Sequence, residues 1–152
     1  MRRKSTTKNF DDASTVHLKN ICKMELQHLG YVVADINKTA AEFKRLGYTQ
    51  GEVLYDEALQ VELCFLTLDG KITIELIHQH NPDSLENRLL NLNGVMPYHI
   101  CYETEDIYAD CQQLIKAGYK ALFDPVEVKA LGGKKICYLH KAEIGYVELT
   151  EK

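Results

Sequence analysis

Apolar residues follow two rhythms along this chain, and the same succession of rhythms occurs twice. From Leu26 to Val33 the pattern has the two-residue period of a strand, with Leu26, His28 and Gly30 on one face and Leu29, Tyr31 and Val33 on the other. Ile36, Ala40, Phe43 and Leu46 then recur at the period of a buried helical stripe. Strand patterns return over Glu52 to Tyr55, Gln60 to Leu68 and Lys71 to Ile77, with Asp69-Gly70 as a turn. After Asn81-Pro82-Asp83-Ser84 comes a short helix, Leu85 to Leu92, ended by Asn93-Gly94. The second half offers a strand from Tyr98 to Glu103 and a helical stripe of Ile107, Cys111, Leu114 and Ala117. Strands follow over Ala121 to Val128, Lys135 to Leu139 and Gly145 to Thr150.

Each half therefore reads β-α-β-β-β, and the two halves align residue by residue. Gln27-His28-Leu29-Gly30-Tyr31 lies over Tyr98-His99-Ile100-Cys101-Tyr102. Asp35-Ile36 and Asp106-Ile107 stand at one common offset from the histidines, and Gly47-Tyr48 and Gly118-Tyr119 at another. Asp35 (or Asn37) and Asp106 are suited to cap a helix start, where a short side-chain oxygen satisfies a free backbone N–H. Gly47 and Gly118 fall where a helix stop needs a left-handed residue. The chain is read as an extension over residues 1–23 and a single α+β domain over 24–152. Its two tandem βαβββ modules, about 24–80 and 95–152, are joined by the short helix.

The repeat selects four polar residues on apolar strands. His28 and His99 stand at equivalent positions, and Glu75 and Glu148 follow them by 47 and 49 residues. Glu75 interrupts Ile72-Thr73-Ile74-Glu75-Leu76-Ile77, and Glu148 lies between Val147 and Leu149. A carboxylate inside such a strand needs a partner, because an unpaired buried charge is very costly. Two imidazoles and two carboxylates suit one divalent ion with borderline N/O preference: Ni, Co, Zn, Mn or Fe. His28, Glu75, His99 and Glu148 are thus the metal ligands expected, with open positions for water or substrate.

Composition narrows the class. Hydrophobic residues make up 45% and charged residues 26%, as in an ordinary globular domain. The net charge of −4 disfavours nucleic acid as a partner, and no apolar stretch reaches membrane-spanning length. Residues 1–23 carry Arg2, Arg3 and Lys4, yet no apolar run follows and Asp11 and Asp12 disfavour a transit peptide. Cys22, Cys64, Cys101, Cys111 and Cys137 are odd in number and widely spaced, which fits free thiols in a reducing cytoplasm. Cys101 shares a strand face with His99 and is expected to line the pocket. Lys129, Lys134 and Lys135 around Gly132-Gly133 form a basic turn, either solvated or facing an anionic thiol cofactor. His78 and His80 read as exposed residues after the Glu75 strand.

The chain resembles the vicinal oxygen chelate superfamily, which includes glyoxalase I, methylmalonyl-CoA epimerase, extradiol dioxygenases and bleomycin-resistance proteins. The resemblance covers Leu26 to Glu151. His28-Leu29-Gly30-Tyr31-Val32-Val33, Ile74-Glu75-Leu76, Tyr98-His99-Ile100-Cys101-Tyr102-Glu103 and Tyr146-Val147-Glu148-Leu149 carry it. It implies a sheet curved around the metal, completed within one chain or by exchange across a dimer, and a homodimer is expected. The His-Glu-His-Glu set looks like that of glyoxalase I (lactoylglutathione lyase). Asp83-Ser84, Pro97-Tyr98-His99-Ile100-Cys101, Gly132-Gly133-Lys134 and Tyr138-Leu139-His140 look like methylmalonyl-CoA epimerase. Tyr98, where epimerases commonly carry a His, and a short turn over Lys141 to Gly145 depart from the latter pattern.

Both branches imply proton transfer at a carbon next to a carbonyl, with a thioester or hemithioacetal as the small-molecule substrate. Glu148 is then the expected catalytic base. Glu62 falls where some epimerases carry a second catalytic Glu, although a strand Glu also commonly faces solvent. A non-catalytic binding protein of the resistance type and a ring-cleaving dioxygenase using His28, His99 and Glu148 are the alternatives.

Overall fold

The computed structural model describes residues 24–152, so the 1–23 extension and Cys22 lie outside the described residues. Nine strands form one sheet: β1 (Glu25–Val32), β2 (Thr49–Asp56), β3 (Val61–Leu68), β4 (Lys71–Gln79), β5 (Met96–Thr104), β6 (Lys120–Ala121), β7 (Val126–Val128), β8 (Lys134–Lys141) and β9 (Gly145–Glu151). The helices are α1 (Ile36–Arg45), α2 (Leu85–Asn93) and α3 (Ile107–Lys116). The strand order is β2-β3-β4-β1-β5-β9-β8-β6, with β7 also paired to β8. This is the α+β, tandem βαβββ arrangement expected from the repeat.

The two modules share one register. β1 runs parallel to β4 with Gly30 opposite Glu75, and β5 runs parallel to β9 with Cys101 opposite Glu148. In each module the Glu therefore faces the residue two places after the His. β1 and β5 pair antiparallel at the centre of the sheet, placing His28 opposite Cys101 and Gly30 opposite His99. That central pairing brings both halves of the site together.

Local chemistry fixes the helices as the sequence predicts. Asp35 accepts from the Lys38 backbone N–H at 2.9 Å, Asp106 from that of Ala109 at 2.9 Å, and Ser84 from that of Asn87 at 3.1 Å. Gly47 and Gly118 follow α1 and α3 at φ of 95° and 94°, a conformation costly for any residue with a Cβ. α1 buries Ile36 and Ala40 against Leu66, Ile74 and Leu76, while α3 buries Ile107 and Cys111 against Cys137, Leu139 and Leu149. A third cluster joins the modules: Val61, Leu63 and Ile77 from one half meet Val128 and Ile136 from the other.

One strand expectation is corrected. Ala121 to Val128 is not continuous, because only Lys120–Ala121 and Val126–Val128 pair with β8. Pro125 lacks the N–H needed for a central ladder position. Leu122 still donates its backbone N–H to the Tyr138 carbonyl at 2.8 Å, the chain leaves the sheet after it, and Leu122 and Phe123 line a cavity.

Candidate functional site

His28, Glu75, His99 and Glu148 converge in one buried cluster, supplied by β1, β4, β5 and β9. Their exposures are 4%, 2%, 2% and 3%, so all four polar heads are withdrawn from water. His28 Nε2 stands 3.1 Å from Glu75 Oε2, 3.1 Å from His99 Nε2 and 3.4 Å from Glu148 Oε2. His99 Nε2 lies 2.9 Å from Glu148 Oε2 and 3.6 Å from Glu75 Oε2. A single chain brings the complete set together.

These separations suit a shared ion. Neighbouring ligands about 2.1 Å from one metal stand roughly 3.0 to 3.4 Å apart in octahedral or tetrahedral arrangements. Glu148 Oε2 approaches His99 Nε2 closely, yet it has no hydrogen bond of acceptable direction. Two imidazole nitrogens facing each other at 3.1 Å likewise aim at a common point. His28 Nδ1 donates to the side-chain carbonyl of Gln27, which turns Nε2 inward. Donor type, burial and convergence fit a divalent cation of the kind superfamily members bind.

By themselves the four side chains hold a proton. Burial lowers the His28 pKa, but the Glu75 charge, the hydrogen bond to Glu75 and the nearby Glu148 carboxylate outweigh it and raise the value to about 10. Burial raises Glu148, while the His99 charge and the close approach of both imidazoles bring it down to about 2. Cys101 is buried beside Glu148. Burial, then the Glu148 and Glu75 charges, push its thiol far up, and it is not among the side chains that converge on one point. It lines neither of the two cavities that border Glu148.

Several contributors escape the sequence pattern. A Cβ at Gly30 would fall 1.9 Å from the His99 ring, so the glycine makes room for the imidazole. The repeat hints at this by placing Gly30 over Cys101. Tyr138 lies edge-on to the His99 ring at 5.1 Å and Tyr98 at 4.6 Å, both with pKa values raised mainly by burial. Tyr98 donates to Glu86 at 3.2 Å.

Two cavities meet at Glu148. The larger, about 280 Å³, has Glu75 and Glu148 on its floor and mainly apolar walls, among them Leu63, Ile77, Phe123 and Val128. The smaller, about 180 Å³, is bordered by Gln27, His28, Phe65, Lys134 and Glu148.

Glu62 is not brought to the cluster. Val61 and Leu63 face the larger cavity, and Glu62 alternates to the other face, 3.1 Å from His80 Nε2. His78 and His80 gather there with Glu62 as a partly exposed group, and His78 Nδ1 donates to the Val33 carbonyl at 3.2 Å. Of the basic turn, Lys134 pairs with Glu103 at 3.6 Å and Lys135 with Glu151 at 3.5 Å.

Comparison with known proteins agrees with this geometry. Residues 27–138 match the Glyoxalase/Bleomycin resistance protein/Dioxygenase superfamily. The chain is 33% identical over 125 residues to human mitochondrial methylmalonyl-CoA epimerase, covering 80% of this chain and 69% of that protein. It is 32% identical over 132 residues to the ethylmalonyl-CoA/methylmalonyl-CoA epimerase of Cereibacter sphaeroides, covering 83% and 96%. Methylmalonyl-CoA epimerase from Mycobacterium tuberculosis superposes with a TM-score of 0.75 at 19% identity, over 89% of this chain and 93% of that one, a likeness of fold. Among the described residues no helix is long and apolar enough to cross a membrane.

Proposed function

The chain belongs to the Glyoxalase/Bleomycin resistance protein/Dioxygenase superfamily and is an enzyme of it, and from that premise we propose that it epimerises an acyl thioester by proton transfer at the carbon next to the carbonyl. The observation that carries this reading is the pair of carboxylates, Glu75 and Glu148, on the floor of an otherwise apolar cavity beside two inward-turned imidazoles. The relatives' substrates are acyl-CoA thioesters, and a thioester acidifies the carbon beside it.

His28, Glu75, His99 and Glu148 would hold a divalent metal ion. Such an ion supplies Lewis acidity that stabilises charge developing on a carbonyl oxygen. Glu148 is the proposed base, because it is ionised at neutral pH and borders both cavities. In the forward step the C–H bond breaks, its electron pair moves toward the carbonyl as an enolate, and the proton passes to the Glu148 carboxylate. The planar enolate then turns its other face to Glu148, and return of the proton from that carboxylate forms the new C–H bond and gives the epimer. The apolar walls exclude water that would otherwise compete for the enolate. Glu62, on the outer face, takes no part in this step.

The test is solvent-deuterium exchange into the carbon next to the thioester, followed by mass spectrometry on tag-free, metal-analysed protein. Glu148→Gln is expected to slow exchange by about 10²-fold or more while still binding metal. Full exchange by a metal-loaded Glu148→Gln protein would overturn the assigned base. Protein that exchanges fully with less than about a tenth of an equivalent of any divalent metal would overturn the metal requirement.

A further inference from the structure

From the larger cavity we infer that the acyl group taken at this site is uncharged and apolar, in contrast to the malonyl-type groups named for the chain's relatives. The inference rests on the thioester reading above and concerns which acyl chain that site accepts.

Three features of the cavity point the same way. Its walls are built from both modules by branched and aromatic side chains, with Leu63 and Ile77 on one side and Phe123, Val128 and Ile136 on the other. Among the described residues its charged lining groups are carboxylates: Glu75 and Glu148 on the floor and Glu86 on the α2 side. A second carboxylate on the substrate would leave water for apolar surroundings and approach these like charges, and both changes are unfavourable. The two floor carboxylates would also cancel the two positive charges of a divalent ion, leaving the centre without net attraction for an anion.

The lining hydroxyls supply no positive charge to offset these carboxylates. Tyr98 and Tyr138 line the cavity with their oxygens 3.5 Å apart, and Tyr98 already donates to Glu86. Burial keeps both phenols protonated. A volume of about 280 Å³ is at the small end for ligand pockets, so it takes the acyl part and not a whole thiol cofactor. The smaller cavity, with Lys134 on its border, reaches the same Glu148. An apolar 2-methyl acyl chain thus fills the larger cavity, with its thioester at Glu148.

The test compares two N-acetylcysteamine thioesters on the intact, metal-loaded protein, one with a 2-methylhexanoyl group and one with a methylmalonyl group. Titration calorimetry is expected to give at least about tenfold tighter binding of the 2-methylhexanoyl thioester. Glu86→Gln is expected to narrow that ratio severalfold by strengthening methylmalonyl binding alone, a change that mere loosening of α2 would not produce. Equal or tighter methylmalonyl binding in the unaltered protein overturns the inference, as does failure of both thioesters to bind. Preferential binding of the apolar thioester without deuterium exchange into it would overturn the proton-transfer reading and leave the acyl preference standing.

Discussion

At the scale of single residues, the site depends on one absent side chain and one shared proton. Gly30 faces His99 across the central strand pair, and the imidazole occupies the volume a Cβ would need. Gly30→Ala therefore either displaces the His99 ring or pushes β1 from β5. We expect a loss of about 1–3 kcal/mol in stability and a weaker metal affinity, read by urea unfolding and by metal titration. Unchanged metal affinity in the variant would show that the ring tolerates the methyl group. The shared proton makes the metal-stripped chain sensitive to pH in two windows. Glu148 is depressed from 4.5 to about 2, so its stabilisation is present above pH 4.5 and is lost as pH falls toward 2. His28 is raised from 6.5 to about 10, so its stabilisation is complete below pH 6.5 and is lost as pH rises through 10. Thermal unfolding of chelator-treated protein should give a Tm that declines from pH 6.5 to 10 and again below 4.5. A level Tm across the upper window would contradict the buried His28–carboxylate cluster.

At the scale of elements, period and capping residues made most of the fold readable, and backbone interruptions hid the rest. The helices announce themselves because Asp35, Ser84 and Asp106 precede their apolar stripes, and each caps its helix in the structure. The candidate ligand quartet was legible because the repeat marks polar residues at matching places on apolar strands. The cavity was not legible, since its walls come from side chains distant in sequence and from Leu122 and Phe123, where the chain leaves the sheet before Pro125. Glu62 shows the same limit: alternation shows that it opposes Val61 and Leu63, but which face is the cavity face emerges only from the packing. Asp56, another residue the pattern passes over, ties the two sides of that cavity together. It is 3% exposed and accepts backbone N–H groups from Leu59 at 3.0 Å and Ala130 at 3.3 Å, one in each module. Burial raises its carboxyl pKa, but these N–H groups outweigh that and hold it below the usual carboxylate value. Asp56→Ala would leave buried donors without an acceptor, at about 1–3 kcal/mol. It should also loosen the cavity, so both urea stability and affinity for an apolar thioester are expected to fall. Lost stability with cavity affinity unchanged would limit Asp56 to a structural tie.

At the scale of the whole molecule, the duplication would make folding and the proposed metal binding one event. Each module contributes one His and one Glu, and neither half alone presents more than two of the four ligands. The halves are joined by the β1–β5 pairing at the sheet centre and by the third apolar cluster across the cavity. An ion held by all four side chains therefore binds the native state and not the unfolded chain, and it stabilises both modules together. At a free metal concentration about 100 times Kd, that linkage amounts to about 2.7 kcal/mol. Such a change would shift Tm by roughly 5–10 °C for a domain of this size. Scanning calorimetry should accordingly show one cooperative transition that moves upward on adding Co or Ni and returns with chelator. His28→Ala and His99→Ala, in different modules, should each abolish the shift. If either variant kept the full metal-dependent shift, or if the two modules melted separately with only one responding to metal, the ion would belong to one half. The duplicated His and Glu would then lack the joint role that their common register assigns them.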